Sequence, residues 1–341
     1  MSKKIIGSIK YIFFLGLGIF LVWFSMHTLQ SNPTEWVLFK QAIAKANYWL
    51  VVPVFFILSL SHILRSLRWK ILLEPMGYTP KFANTFFAVM IGYLANMAVP
   101  RLGEVLKCTL LSKYEKIPVE KIVGTIVAER AFDVISLAIV FLFAIIFQFD
   151  VVMASIGEIQ QMLQGSPEET VSTTKKIIYI TIILLMILLI IYLLVTQRMK
   201  IFLKKIKSIA MGICEGLITA RKLKQKKLFF IYSASIWLLY LLGTWVGFYA
   251  TQGTAGLGLT QAISCLAFAS IGMIITPGGI GAYAFFIAKV LSLQQPAIDN
   301  SIAYANGTLQ WAAQCFIILL VGFICTLLLP IYNKKNTTTI V

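Results

Sequence analysis

Long apolar runs alternate with short polar segments along this chain, and most runs are close to the length of a membrane-spanning helix. About 20 consecutive apolar residues carry a helix across the hydrocarbon layer. We predict six such helices, at residues 10–28, 48–64, 122–148, 177–196, 228–250 and 301–330. The pattern therefore predicts an all-α polytopic integral membrane protein whose N-terminal run is an uncleaved first span.

Two further apolar segments are interrupted, and each predicts a helix broken by a turn. The first, residues 82–111, is broken at Pro100 and Gly103 and has basic residues at both flanks. Flanks that prefer the same side favour a re-entrant hairpin over a full crossing. The second begins at residue 259, and its break contains a proline and three glycines: Pro277, Gly278, Gly279 and Gly281. Backbone freed at such breaks must be buried in protein or face a water-filled cavity.

The order of these elements repeats along the chain. Each half contains two spans, a broken hairpin and a further span, and the second half starts on the opposite side of the membrane. We therefore predict one membrane domain built as an inverted-topology repeat, with halves at residues 1–150 and 171–335. The alternative is eight full spans, which would place the basic run 113–121 on the outer side.

Composition and charge support the membrane assignment. The chain is 59% hydrophobic and 13% charged, with a mean hydropathy of +0.86, whereas about a quarter of the residues in soluble chains are charged. Most of the 30 lysines and arginines fall in predicted inner segments, which is the positive-inside pattern. This placement, rather than the net charge of +17, predicts cytoplasmic termini and argues against a nucleic-acid partner. The segment RSLRWK, residues 65–70, predicts a basic anchor with Trp69 at headgroup depth.

The residues that carry most enzyme chemistry are sparse. The chain has five cysteines and two histidines, scattered without metal-ligand or disulfide spacing. We find no nucleophile elbow, phosphate-binding loop or metalloprotease motif. We therefore predict no metal and no cofactor, and we favour a protein that is not an enzyme.

Five charged residues lie in or against apolar runs in the first half of the chain. They are Arg101, Glu104, Glu129, Arg130 and Asp133. A charge in hydrocarbon costs from about 2.5 kcal/mol upward, so such residues are usually paired or functional. Glu129 and Asp133 share a helix face, and the spacing lets Arg130 reach one of them.

Each group of charged residues has a functional interpretation and a structural one. Arg101 and Glu104 could bind a headgroup or could form a self-satisfied pair at the hairpin turn. The group at residues 129–133 could be a polar path or proton relay, or a structural ion network. Asn96, Asn306, Gln310 and Gln314 are secondary polar candidates for the site. For Asn306, Gln310 and Gln314, the i,i+4 spacing favours interhelical hydrogen bonds over ligand contacts.

The elements NMAVPRLGEVLK, ERAFD and TPGGIGAY, in this order, resemble the membrane-embedded region of lysylphosphatidylglycerol synthases and of standalone flippase-like proteins. The resemblance implies that the five charged residues line a path for a lipid headgroup. We expect the standalone form of this membrane region, because the sequence up to Val341 contains no soluble synthase domain. Many family members have Glu three residues after the last glycine of the second break, where this chain has Ala284.

These observations lead to a functional hypothesis with two alternatives. We predict a translocase of phospholipids or lipid-linked headgroups in the bacterial cytoplasmic membrane. Its partners would be membrane lipids with anionic headgroups. Whether the protein forms a homo-oligomer is left open by the sequence. The alternatives are a membrane-embedded lipid-modifying transferase, and a scaffold or regulator of cell-envelope synthesis.

Overall fold

The computed structural model describes residues 3–99, 101–149, 223–295 and 297–338. Several predictions lie outside these residues: the break at Pro100, the boundary between the halves, the span 177–196 and most of the basic segment that follows it. Within the described residues the chain forms ten α-helices joined by turns and short 3-10 helices. They are α1 (Lys3–Ser31), α2 (Pro33–Ala44), α3 (Val51–Leu73), α4 (Phe82–Ala98), α5 (Leu102–Glu115), α6 (Val119–Phe147), α7 (Lys226–Phe248), α8 (Leu259–Ile275), α9 (Ala282–Gln294) and α10 (Asn300–Thr338).

Five segments in the described part of the chain are long and apolar enough to cross a membrane. They are Phe14–Ser31, Tyr48–Met76, Val119–Phe147, Lys226–Phe248 and Asn300–Lys334. Each agrees with a predicted span. This result confirms an all-α multi-pass membrane protein; the inverted repeat and the position of the hairpins relative to the bilayer stay predictions.

The helices pack into a bundle in which elements from both ends of the chain are neighbours. Helix α3 packs along α7, and α10 packs along both α4 and α9. One apolar core surrounds Phe248, Tyr283 and Tyr304 at one end of the bundle. A second core surrounds Trp69 and Phe229 at the other end. Charged side chains lie directly against this second core, with Arg68 over the Phe229 ring and Lys107 over the Trp69 ring.

The first hairpin consists of α4 and α5, which pack against each other. Helix α4 ends at Ala98 because Val99 and Arg101 leave the helical conformation, Arg101 with φ +68°. Gly103 packs directly against the Gly92 backbone, and its N–H donates a 2.8 Å hydrogen bond to Asn96 Oδ1. The contact of two glycines lets the two helices approach closely.

The second hairpin consists of α8 and α9, with the break at Thr276–Gly281 between them. Gly278, Gly279 and Gly281 all have positive φ, between +59° and +74°, which explains the glycine cluster. Trp311 Nε1 on α10 donates a 2.8 Å hydrogen bond to the Gly278 carbonyl and holds the turn in place. Gly278 faces Met97 of the first hairpin, so the two breaks lie close together.

Replacing Gly103 with Ala should destabilise the first hairpin. The added methyl group would collide with the Gly92 backbone, which belongs to a packed helix and cannot rotate away. We expect a loss of about 1–3 kcal/mol, the usual cost of overpacking. Thermal unfolding of the purified protein in detergent micelles measures this loss.

Gly124→Ala is the matched control for this prediction. Nothing lies within 4 Å of the position that its methyl group would take on α6. Alanine is favoured over glycine in a helix by up to about 1 kcal/mol, so this variant should unfold at the wild-type temperature or above. Equal unfolding temperatures for the two variants would contradict the close approach of α4 and α5.

Candidate functional site

A cavity of about 1040 Å³ lies between the helices, and both hairpin turns contribute to its wall. Asn96 and Arg101 reach it from the first hairpin, and Pro277 and Gly278 reach it from the second. Most of the remaining wall comes from α3, α7, α8 and α10. Its volume is at the upper end of the roughly 300–1,000 Å³ that is usual for ligand sites.

The cavity is long and amphipathic. It follows α3 from Val51 to Arg65, and at 1.5 Å per residue these positions lie about 21 Å apart along the helix. That length is most of the roughly 30 Å hydrocarbon thickness of a bilayer. Apolar side chains such as Leu58, Leu266 and Leu309 form much of the wall, whereas the charged side chains gather at the Arg65 end.

Two arginines of α3 face two carboxylates of α6 at this charged end. Arg65 Nη1 lies 3.1 Å from Glu129 Oε1 and 2.6 Å from Asp133 Oδ2. Arg68 Nη2 lies 2.7 Å from Asp133 Oδ1 and 3.7 Å from Glu129 Oε1. The i,i+3 spacing of the arginines and the i,i+4 spacing of the carboxylates place each pair on one helix face. The two faces therefore meet along a continuous row of ion pairs.

Lys107 joins the first hairpin to the same group of charges. Its Nζ lies 3.1 Å from Glu129 Oε2 and 4.5 Å from the centre of the Trp69 ring. Lys107 and both arginines are almost fully buried, and Glu129 is only 1% exposed. Removing one partner from a buried ion pair leaves the other uncompensated, so these residues should act as a unit. We call them the buried ion network: Arg65, Arg68, Lys107, Glu129 and Asp133.

A second, more exposed ion pair lies beside the network. Arg130 Nη2 lies 3.0 Å from Glu104 Oε1, and the two side chains are 45% and 30% exposed. Arg101 lines the cavity nearby and has no ion pair or hydrogen bond among the described residues. Including Arg101, this pair and the network supply five cations and three carboxylates. The site therefore has an excess of two positive charges within the described part of the chain.

Several polar atoms at this end of the cavity are buried without a hydrogen-bond partner among the described residues. They are His62 Nδ1, Arg65 Nε, Glu104 Oε2 and Trp237 Nε1. All four residues line the cavity. Buried polar groups normally have partners, so unpaired atoms that surround one cavity indicate a site for a polar ligand.

The structure brings most of the predicted site residues together at one cavity. Those that line it are Asn96, Arg101, Glu104, Arg130, Asp133, Pro277, Gly278, Gln310 and Gln314. Glu129 lies behind the wall, in the buried ion network. Gly103, Gly279 and Gly281 are buried in helix and turn packing, and Pro100 lies outside the described residues.

Asn306 does not line the cavity. Its side chain donates to the Gly247 carbonyl at 2.9 Å and to the hydroxyl groups of Thr251 and Thr254. Its Oδ1 accepts a 2.7 Å hydrogen bond from Gln310 Nε2. These contacts join α10 to α7 and to the turn that follows it.

Two details predicted from the sequence are wrong, and one structural alternative does not occur. Arg130 forms no ion pair with Glu129 or Asp133, because Arg65, Arg68 and Lys107 occupy those carboxylates, and it pairs with Glu104 instead. Because Glu104 is paired with Arg130, it does not form the alternative pair with Arg101. The segment at residues 65–70 is not a surface anchor: α3 continues to Leu73, Arg68 and Trp69 are fully buried, and Trp69 Nε1 donates to Thr125 Oγ1.

The site also contains residues that the sequence analysis missed: His62, Arg65, Arg68, Tyr93, Lys107 and Tyr240. Tyr240 OH accepts a 3.2 Å hydrogen bond from Arg65 Nη2, and Arg65 lies over the Tyr93 ring. One signal could have identified the arginines. The apolar run continues as Ile71, Leu72 and Leu73 after the basic segment, so the segment lies within a buried helix rather than at its end.

The spanning helices, the broken hairpins and the internal charged cavity define a multi-pass α-helical membrane protein with a polar site between its helices. The chain belongs to the lysylphosphatidylglycerol synthase TM region family, whose model matches residues 10–322. This match confirms the resemblance inferred from the three sequence elements.

One relative shows similarity over part of the chain. Over 96 residues, the chain is 31% identical to the UPF0104 membrane protein MJ1595 of Methanocaldococcus jannaschii. The matched segment is 27% of this chain and 29% of that protein, so less than one third of the relative's length is covered. No solved structure matches the chain.

Replacing Glu129 with Gln should destabilise the protein strongly. The substitution removes a buried carboxylate that faces Arg65, Arg68 and Lys107. Breaking a buried pair in this way costs about 3–5 kcal/mol, because the cations lose their compensation. Denaturant unfolding in mixed micelles, followed by tryptophan fluorescence, measures the difference.

Glu104→Gln provides the comparison, because it also removes one carboxylate from the site. Its ion pair with Arg130 is partly exposed, so we expect a change of no more than about 1 kcal/mol. If both variants lose the same stability, the distinction between the buried network and the exposed pair is wrong.

Proposed function

We propose that this protein moves lipids with anionic headgroups between the leaflets of the bacterial cytoplasmic membrane. The observation that carries the proposal is the long cavity between the helices, which has apolar walls and a cluster of excess cations at one end. An amphiphile with a negative headgroup matches this distribution of surface chemistry. Membership of a lipid-related membrane family supports the same class of ligand.

The headgroup would first meet Arg101 and Arg130. Both guanidinium groups line the cavity, and arginine can hold phosphate oxygens with two parallel N–H donors. Arg101 has no protein partner among the described residues, and Arg130 uses Nη2 for Glu104. A phosphate at this position would supply the missing negative charge without breaking the buried ion network.

The two hairpins would form the barrier that the headgroup passes. Their turns face each other at Gly278 and Met97, and both contribute to the cavity. If the hairpins are re-entrant from opposite faces, the halves can rock and expose the cavity to each side in turn. Acyl chains would stay against apolar wall and lipid throughout.

The second hairpin supports an anionic rather than a cationic cargo. Ala284 is buried and its backbone packs against Gly307 of α10, so this position carries no charge and has no space for one. The carboxylate that many family members have here would favour a cationic headgroup. Without it, arginines dominate the described charges of the cavity.

Exchange of a labelled lipid between leaflets tests the proposal. Purified protein is reconstituted into liposomes with fluorescent phosphatidylglycerol, and dithionite then quenches the label in the outer leaflet. We expect wild-type protein to expose inner-leaflet label that protein-free liposomes keep protected. Arg101→Gln should slow this exchange about tenfold or more, because a hydrogen bond to a charged group contributes about 1.5–3 kcal/mol.

Lys121→Gln is the matched control, since it removes one exposed positive charge from α6 outside the cavity. It should exchange lipid at the wild-type rate. Wild-type protein that exchanges no label would exclude the translocase. Equal slowing in both variants would show that bulk charge, and not Arg101, is responsible. A chemically altered lipid product would instead favour the transferase alternative.

A further inference from the structure

The charged end of the cavity contains a pocket whose four main residues have no role in the path described above. His62 and Arg65 lie three residues apart on α3 and share a face, and both line the cavity. Tyr93 on α4 and Tyr240 on α7 complete the pocket. The ring of His62 lies 5.0 Å from the ring of Tyr93, measured between centroids.

The pocket is rich in hydrogen-bond donors that the protein does not use. Arg65 Nε carries a proton and has no partner among the described residues, although both Nη atoms of this residue are bonded. The Tyr240 hydroxyl accepts from Arg65 and still has its own proton to donate. His62 is only 7% exposed, and its Nδ1 is also unpartnered. The Tyr93 hydroxyl makes no hydrogen bond to a described residue.

The charge around the pocket also favours an anionic ligand. The buried ion network, which includes Arg65, contains three cations and two carboxylates, and all of them except the partly exposed Asp133 are nearly excluded from solvent. An uncompensated buried charge is costly, and a ligand of opposite charge relieves that cost. Convergent N–H and O–H donors with a local positive charge fit an oxyanion that has several acceptor oxygens.

We propose that His62, Arg65, Tyr93 and Tyr240 form a phosphate pocket that holds the phosphate of a membrane lipid. This inference rests on the proposed function, because it takes the phosphate to be that of the transported headgroup. The pocket lies deeper than the exposed Arg101 and Arg130. It would therefore hold the phosphate after the headgroup has passed those two residues.

Binding of short-chain lipids in detergent tests the pocket without requiring transport. The probes are dihexanoyl phosphatidic acid, dioctanoylglycerol, which lacks phosphate, and inorganic phosphate alone. Affinity is measured by isothermal titration calorimetry on the full chain. We expect wild-type protein to bind the phosphatidic acid at least about tenfold more tightly than dioctanoylglycerol.

The variants remove hydroxyl groups and leave the rings in place, so packing is preserved and Arg65 keeps its ion pairs through Nη1, although Nη2 loses the Tyr240 hydroxyl. Tyr93→Phe and Tyr240→Phe together should weaken binding of the phosphatidic acid about tenfold or more, with unchanged binding of dioctanoylglycerol. Tyr249→Phe is the control, because Tyr249 is 45% exposed and lies outside the cavity. It should bind the phosphatidic acid as wild type does.

The remaining outcomes of the binding and exchange experiments separate the phosphate pocket from the translocase. Equal affinity for the two lipids, or wild-type binding by the double variant, overturns the pocket. Binding of inorganic phosphate as tight as that of the lipid would keep the phosphate site but assign it to the free ion. Phosphate-dependent binding without leaflet exchange would exclude the translocase and keep the pocket. Exchange without a preference for phosphate would exclude the pocket and keep the translocase.

Discussion

The pairing of charges between α3 and α6 is the interaction on which the rest of the structure depends. In a membrane, charged side chains have no bulk water to solvate them, so they must find partners within the protein. Arg65 and Arg68 find theirs in Glu129 and Asp133, which fixes the rotation of both helices about their axes. Lys107 extends the constraint to the first hairpin, because it also contacts Glu129. The charged end of the cavity is thereby held at the point where three helices meet.

The two broken hairpins place non-helical backbone inside the protein, and that backbone needs hydrogen-bond partners. Glycines at the second break accept conformations that other residues avoid, and Gly92 and Gly103 allow the helices of the first hairpin to approach closely. The freed backbone is then stabilised by side chains: Asn96 bonds Gly103, and Trp311 bonds Gly278. The turns can therefore form part of a cavity wall without leaving many unpaired backbone groups.

The sequence was sufficient to predict features that arise locally and insufficient for features that depend on helix rotation. Apolar run lengths predicted the spanning helices, and Pro277 with its glycines predicted the second break. The partners of Glu129 were not predictable in the same way, because a basic segment near a predicted helix end also fits the positive-inside rule. The apolar residues 71–73 indicate that the helix continues past this segment, but the three-dimensional packing is needed to show that Arg65 and Arg68 face Glu129. The relation between the halves remains a prediction.

The backbone of Arg101 has a consequence for how this protein can change. A left-handed conformation costs a non-glycine residue about 1–2 kcal/mol, and Arg101 adopts one with φ +68°. Glycine would relieve that strain and at the same time remove the guanidinium group from the cavity mouth. Selection for heat resistance alone would therefore favour a more stable protein that has lost a cation from the cavity wall. At this residue, a gain in stability is therefore linked to the loss of a charged side chain from the cavity.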